Sequence, residues 1–207
     1  MNHHIPKQQV GKKIDAAHDV TFHNIQDARD FYYIVRNRLL AINHWSRIAK
    51  LPMSTFQLIG PTGESDIPMA RVGDYIKIDI PGPGPSNDQH VDYVRIEEIE
   101  ETDTPEIQLL TLRLRPSEEP GANSTAEVQH FFSQVSTSNF QIQRDGKTIT
   151  ASYFGRNEVI NTDVDALSDQ LRNRVVGWAA KLGFSYPQWD ALVKGLVDDA
   201  ITKNSDT

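Results

Sequence analysis

The sequence contains no cysteine. That excludes disulfides, thiolate zinc sites and cysteine nucleophiles, and it accords with a reducing compartment. Nor does it contain an apolar run approaching the roughly 18 residues of a membrane-spanning helix. The opening MNHHIPKQQVGKKID has early positive charge but no apolar stretch of signal-peptide length behind it. A cytoplasmic protein without a membrane partner is the expectation. Basic charge is also in short supply. The net charge of −7 argues against non-specific nucleic-acid binding, so no nucleic-acid partner is expected.

Catalytic signatures are missing as well. There is no HExxH, no GxSxG, no GxGxxG and no GxxxxGK[ST]. The seven histidines are scattered, with only His3 and His4 adjacent. No catalytic residue, metal site or cofactor is therefore expected. The stretch PGPGP at 81–85 resembles a phosphate loop only superficially. Three of its five residues lack the N–H that would face an anion, and its prolines are two apart rather than three. It reads as a stiff corner that ends a strand and discourages further pairing. The acidic run EEIEETDTPE has no glycine-centred calcium spacing and reads as a solvated loop.

What is present is a clear change of period along 207 residues, a length suited to one domain. Residues 1–50 carry eight Lys/Arg against four Asp/Glu, while the remainder is acidic. Residues 1–23 are read as a flexible or loosely packed arm, and 24–203 as a single α+β domain. Ile25, Ala28, Tyr32, Val35, Leu39 and Ile42 lay one apolar seam along a helix over 24–50, capped by Asn24. Phe31, Ile34, Ala41, Trp45 and Ile48 widen the seam beyond a coiled-coil stripe.

From 55 to 161 the period becomes two, as in DYIKIDI and EIQLLTLRLRP, the pattern of antiparallel strands with one covered face. In HVDYVRIEEIEE the alternation slips between Ile96 and Ile99, which predicts a bulge. Asp145-Gly146 predicts a type I′ hairpin turn that sets Arg144 opposite Lys147 and Ile142 opposite Ile149. Ser124 and Glu127 form a capping box for a short helix near 125–133. After Thr162 the helical period returns. One helix ends at Gly183, and a second is started by Ser185, Pro187 and Gln188 with Phe184 and Trp189 as a hydrophobic staple. This pair is too acidic to read DNA and is expected to cover the sheet.

The expected fold is α+β: a curved antiparallel sheet of about five to seven strands, with a long N-terminal helix and a C-terminal helix pair packed on one face. Candidate binding residues are polar groups on or just after strands and helices. Arg156, Asn157 and Glu158 follow Gly155, which is read as releasing its strand; His130 lies one turn after Glu127; Arg113 and Arg115 share a polar strand face. The leading functional expectation is a non-enzymatic protein-binding or assembly module, with a protein partner or self-association through the 25–49 helix. A carrier of a small apolar ligand held between sheet and helices is the alternative. An enzyme of unidentified class, using His130 or the Arg156–Glu158 segment, is the third.

Overall fold

The structure is a computed structural model describing residues 5, 12–51, 54–79, 91–122, 137–158 and 187–198, with the side chains of 12, 157 and 158 excepted. The short helix near 125–133, the PGPGP corner and the first helix of the C-terminal pair lie outside the described residues. Seven antiparallel strands form one sheet: β1 (Lys12–Thr21), β2 (Thr55–Ile59), β3 (Tyr75–Asp79), β4 (Asp92–Asp103), β5 (Ile107–Ser117), β6 (Thr137–Asp145) and β7 (Thr148–Glu158). Their order across the sheet is β1-β7-β6-β5-β4-β3-β2. Consecutive strands from β2 to β7 pair with their neighbours, and β1 closes the far side by lying against β7.

That last pairing corrects the expected N-terminal arm. Residues 12–21 are a ten-residue strand in register with β7, from Lys12 opposite Glu158 to Thr21 opposite Thr148. Its inward positions are Ile14, Ala16, His18 and Val20, alternating with Lys13, Asp15, Ala17 and Asp19. Two alanines and a histidine blur the alternation that exposed strands normally show.

The long helix is also shorter than its seam suggests. Helix α1 spans Ile25–Leu40, and Asn24 caps it by accepting the Asp27 N–H at 2.8 Å. The chain then leaves helical geometry at Ala41 (φ −85°, ψ 66°), makes a 3-10 turn at Ile42–His44 and a short α2 at Trp45–Ile48. Tertiary partners take the carbonyls that a continuing helix would use. Leu39 accepts from Trp45 Nε1 at 3.0 Å, and Leu40 accepts from the Ala70 N–H at 2.9 Å. Asn43, freed by the break, accepts the edge-strand N–H of Leu58 at 2.7 Å and donates to the Ile67 carbonyl. This covers a donor of the kind that invites another strand.

The slip in β4 is a bulge, located between Ile96 and Glu98 opposite β5. The β6–β7 hairpin exists, but its turn is one residue later than Asp145-Gly146 implies. Asp145 pairs with Thr148, so Gly146 and Lys147 are the central residues. Only Gly146 has positive φ (+56°), the pattern of a type II′ turn. The pairing moves by two residues, placing Arg144 opposite Ile149 and Ile142 opposite Ala151. A shift of two preserves the faces, so Phe140, Ile142, Ile149 and Ala151 still point inward together. Arg144 explains the shift. In the expected register two cations would face one another, which is unfavourable. In the observed one its guanidinium is fully buried and donates to Gln108 Oε1 (2.6 Å) and to the Gly146 and Pro105 carbonyls (2.9 and 2.8 Å).

One apolar core joins the inner sheet face to α1, α2 and a helix over 187–196, here α3. Trp189, Leu192, Val193 and Leu196 are the buried side of α3. Its C-terminal end is held in three ways. Arg38 donates to the Leu196 carbonyl at 2.7 Å, Lys50 meets Asp198 at 3.1 Å, and Gly195 lies directly against α2. A Cβ on Gly195 would sit 2.0 Å from the Ile48 carbonyl oxygen, too close for backbone to yield. Gly195→Ala is therefore expected to lower stability by about 1–3 kcal/mol, although the same change in an open helix gains up to about 1 kcal/mol. Urea unfolding checks the sign; an unchanged or raised midpoint would mean α3 does not cross α2 at this position.

Candidate functional site

The inner face of the sheet meets α2 and α3 in a cluster of rings. Trp189 is its hub, with ring centroids 5.5 Å from Phe140, 5.8 Å from Phe56, 5.9 Å from Tyr153 and 6.4 Å from Trp45. It stacks on Tyr153 at 24° and meets Phe140 and Trp45 edge-on, both favourable arrangements. The strands set this up through alternation. Phe140 and Tyr153 face each other across β6 and β7, and Phe56 takes an inward position on β2.

Polar atoms inside the cluster fall into two groups. Trp45 Nε1 is bonded to Leu39, and the Tyr153 hydroxyl lies 3.1 Å from Ser138 Oγ. Trp189 Nε1, on a residue only 3% exposed, has no acceptor. Outside these ring contacts, the Tyr32 hydroxyl on α1, in the neighbourhood of Glu101 and Arg36, is likewise buried without a partner. Burial, then the nearby Glu101 carboxylate, push that phenol well above the usual range. At the edge of the cluster His18 of β1 and Asp190 of α3 are joined at 2.9 Å, both half-exposed.

The residues singled out from the sequence lie elsewhere. Arg113 and Arg115 occupy the outer sheet face, as their alternation implies. Arg113 pairs with Glu98 and donates to Asn139 Oδ1 at 3.2 Å, and Arg115 donates to Glu97 at 2.5 Å. Arg156 lies on the same outer face, 6% exposed, paired with Asp15 of β1 and donating to the Gly155 carbonyl at 2.9 Å. Its guanidinium also covers the Phe154 ring at 5.0 Å. Gly155 does not release the strand. It pairs with Ile14 on one side and Ser138 on the other, and β7 continues to Glu158. The segment read as a loop is thus strand, and its arginine holds two strands together. His130 and the side chains of Asn157 and Glu158 lie outside the described residues. The ring cluster was not legible as a site: Trp45 only widens a helical seam, Trp189 reads as half of a hydrophobic staple, and Phe140 and Tyr153 lie within a strand pattern.

Among the described residues no three His, Asp or Glu side chains gather as a metal site, and no helix is long and apolar enough to cross a membrane.

No family model matches the chain, and neither does a curated protein sequence. Similar solved structures include a hypothetical protein of Helicobacter pylori, 12% identical over 87% of this chain and 86% of that one, with a TM-score of 0.41. Major latex-like protein 151 of Panax ginseng is 14% identical over 83% and 95%, with a TM-score of 0.35. A protein of Mycobacterium smegmatis is 16% identical over 87% and 90%, with a TM-score of 0.39. At this level nothing about function carries over.

Two consequences follow for the polar contacts around the core. Tyr33 donates to Asp103 at 2.6 Å and, with Gln108 Nε2 at 3.0 Å, holds that carboxyl below the ordinary carboxylate range. A carboxyl depressed in the folded state contributes stability that is present above its unfolded value, about 3.9, and is lost as pH falls through the folded value. Tyr33→Phe is expected to raise the Asp103 titration midpoint, read by carboxyl-carbon NMR, and to make stability less steep on the acid side. An unmoved midpoint would show that the phenol is not what holds it. Arg156→Met is expected to speed amide exchange across 12–21 more than across β5, because β1 loses its side-chain tie to β7. Uniform exchange changes in both strands would contradict that role.

Proposed function

We propose that this chain is a binding protein for a small, largely apolar ligand seated against the inner-face ring cluster. The observation that carries this reading is the buried, unpartnered N–H of Trp189. Leaving a donor unpaired in an apolar interior costs about 1–3 kcal/mol, and such groups in native proteins call for a partner. Apolar surroundings with a few convergent polar atoms are the usual make-up of small-molecule sites. The cluster supplies both: four rings around the indole, and one donor not used by the fold.

A second reading, assembly through α1, is favoured by a different observation. Ile25, Tyr33 and Ile34 are 52%, 40% and 36% exposed, a concentration of large apolar side chains on one helix. Tyr33 and Ile34 are neighbours near the middle of that helix, and exposed apolar side chains of this kind bury themselves against partners, a second copy of the chain being the simplest one.

Native mass spectrometry separates the two. Ligand carriage is expected to appear as a monomer exceeding the 23.4 kDa chain by on the order of a few hundred daltons, an excess that disappears on denaturation. A clean multiple of the chain mass would instead favour assembly, and Ile34→Glu should then return it to monomer. A bare monomer would count against both.

A further inference from the structure

We infer that the ligand is an electrically neutral ring compound bearing a hydrogen-bond acceptor, and that Trp189 Nε1 is the donor that reads it. This rests on the ligand reading above and narrows it to one chemical class. Three observations support the narrowing.

The first is the chemistry of the free atom. An indole N–H only donates, so its partner must be a carbonyl, ether or similar oxygen or nitrogen. The Tyr153 hydroxyl and Trp45 Nε1 are already committed to Ser138 and Leu39, leaving Trp189 as the donor on offer in the cluster.

The second is the state of the nearby cations. Among the described residues, Arg36, Arg38 and Arg144 reach buried or half-buried ground on the inner side, and all three are used by the fold, Arg36 by the Glu101 carboxylate at 2.6 Å. Arg144 is fully buried and donates to Gln108 and to loop carbonyls, and Arg38 donates to the carbonyls of Leu196 and Asp198 at 2.7 and 3.2 Å. A carboxylate ligand would have to shed its water against a lone indole N–H, with the Asp190 carboxylate one residue along the helix. Burying an anion without a cationic partner is strongly unfavourable. A cationic ligand is disfavoured from the other side, since the free group within the ring cluster is itself a donor and repels another.

The third is shape. Phe140, Tyr153 and Trp189 meet in stacked, tilted and edge-on pairs at 5.1 to 5.9 Å. Flat apolar rings extend such an arrangement with favourable offset contacts, and they lose little conformational freedom on binding.

The test is a calorimetric titration of the full chain with three probes sharing one ring system: acetylnaphthalene, ethylnaphthalene and naphthoate. The acetyl compound offers an acceptor, the ethyl compound does not, and naphthoate is an anion. Acetylnaphthalene is expected to bind about fivefold tighter than ethylnaphthalene, and naphthoate more weakly than either. In Trp189→Phe the ring is kept and the N–H removed, so the acetyl and ethyl compounds should bind alike. Equal affinities of those two in the unaltered protein would overturn the assignment of Trp189, whatever the variant does. Tightest binding by naphthoate would overturn the neutral class while leaving ligand carriage standing. If none of the three bound, the ligand reading itself would fall, and this inference with it. A thermal melt of the variant establishes that it is folded, and the comparison within the unaltered protein decides the matter where it is not.

Discussion

The contact between Gly195 and the Ile48 carbonyl is the constraint on which the interior depends. Helix α3 can approach α2 this closely only where it has no side chain, and a glycine inside a helix costs about 1 kcal/mol relative to alanine. The cost is offset by what the approach brings into place. With Gly195 against α2, the Arg38 guanidinium reaches the last carbonyls of α3, and Leu192, Val193 and Leu196 enter the core. Less than two turns earlier on the same helix, Trp189 arrives among Trp45, Phe56, Phe140 and Tyr153. A methyl group at 195 would push α3 outward and draw the indole away from all four rings.

The two faces of the sheet answer to different physics. On the inner face burial is the stabilising term, at about 25 cal/mol for each Å² of apolar surface removed from water, and most polar groups there are bonded, with Trp189 Nε1 and the Tyr32 hydroxyl as exceptions. Arg144 shows how far this goes, since it donates to a side chain and to loop carbonyls and fixes the hairpin register in doing so. On the outer face Arg113, Arg115 and Arg156 join carboxylates across neighbouring strands. The arginines of these pairs are partly or, at Arg156, almost fully buried, and the effect of the pairs is on alignment: β4 with β5, and β1 with β7. The bulge in β4 fits this picture, because it lets Glu98 face Arg113 while Ile96 stays opposite Leu114 inside.

Much of the β layout was legible in the residues, and the failures have identifiable causes. Alternation marked β3, β5 and the bulge of β4, because each places apolar residues at every second position toward the core and polar ones between them. It missed β1, whose inward row of Ile14, Ala16, His18 and Val20 is too small and too polar to stand out. Helical periodicity carried α1 past its end, since Ile42, Trp45 and Ile48 are all buried in the helical turns that follow. What ends α1 is competition for the carbonyls of Leu39 and Leu40 by Trp45 and Ala70, and no local pattern encodes that. The hairpin turn was placed one residue early because Asp-Gly is a strong local signal, whereas Arg144 acts through Gln108 and Pro105, more than thirty residues away. Arg113, Arg115 and Arg156, which look like site residues because they are charged and lie on or near strand ends, tie neighbouring strands together instead. The ring cluster escaped notice because spacing reveals that a side chain is buried without revealing whether its polar atom is satisfied.

Trp45 and Trp189 make that distinction concrete. Both are buried indoles, their rings 6.4 Å apart in the same cluster, and packing treats them alike. Yet Trp45 has its N–H placed on the Leu39 carbonyl, where it also helps to end α1, while Trp189 has its N–H placed on nothing. If packing were the whole requirement, phenylalanine at 189 would fill most of the same space without a donor to satisfy. An indole is the better choice when an acceptor comes from outside the fold, because the ring is rigid, the donor is held in direction, and little entropy is lost when the bond forms. The same rigidity that locks α3 onto α2 at Gly195 then serves recognition, by fixing where that donor points.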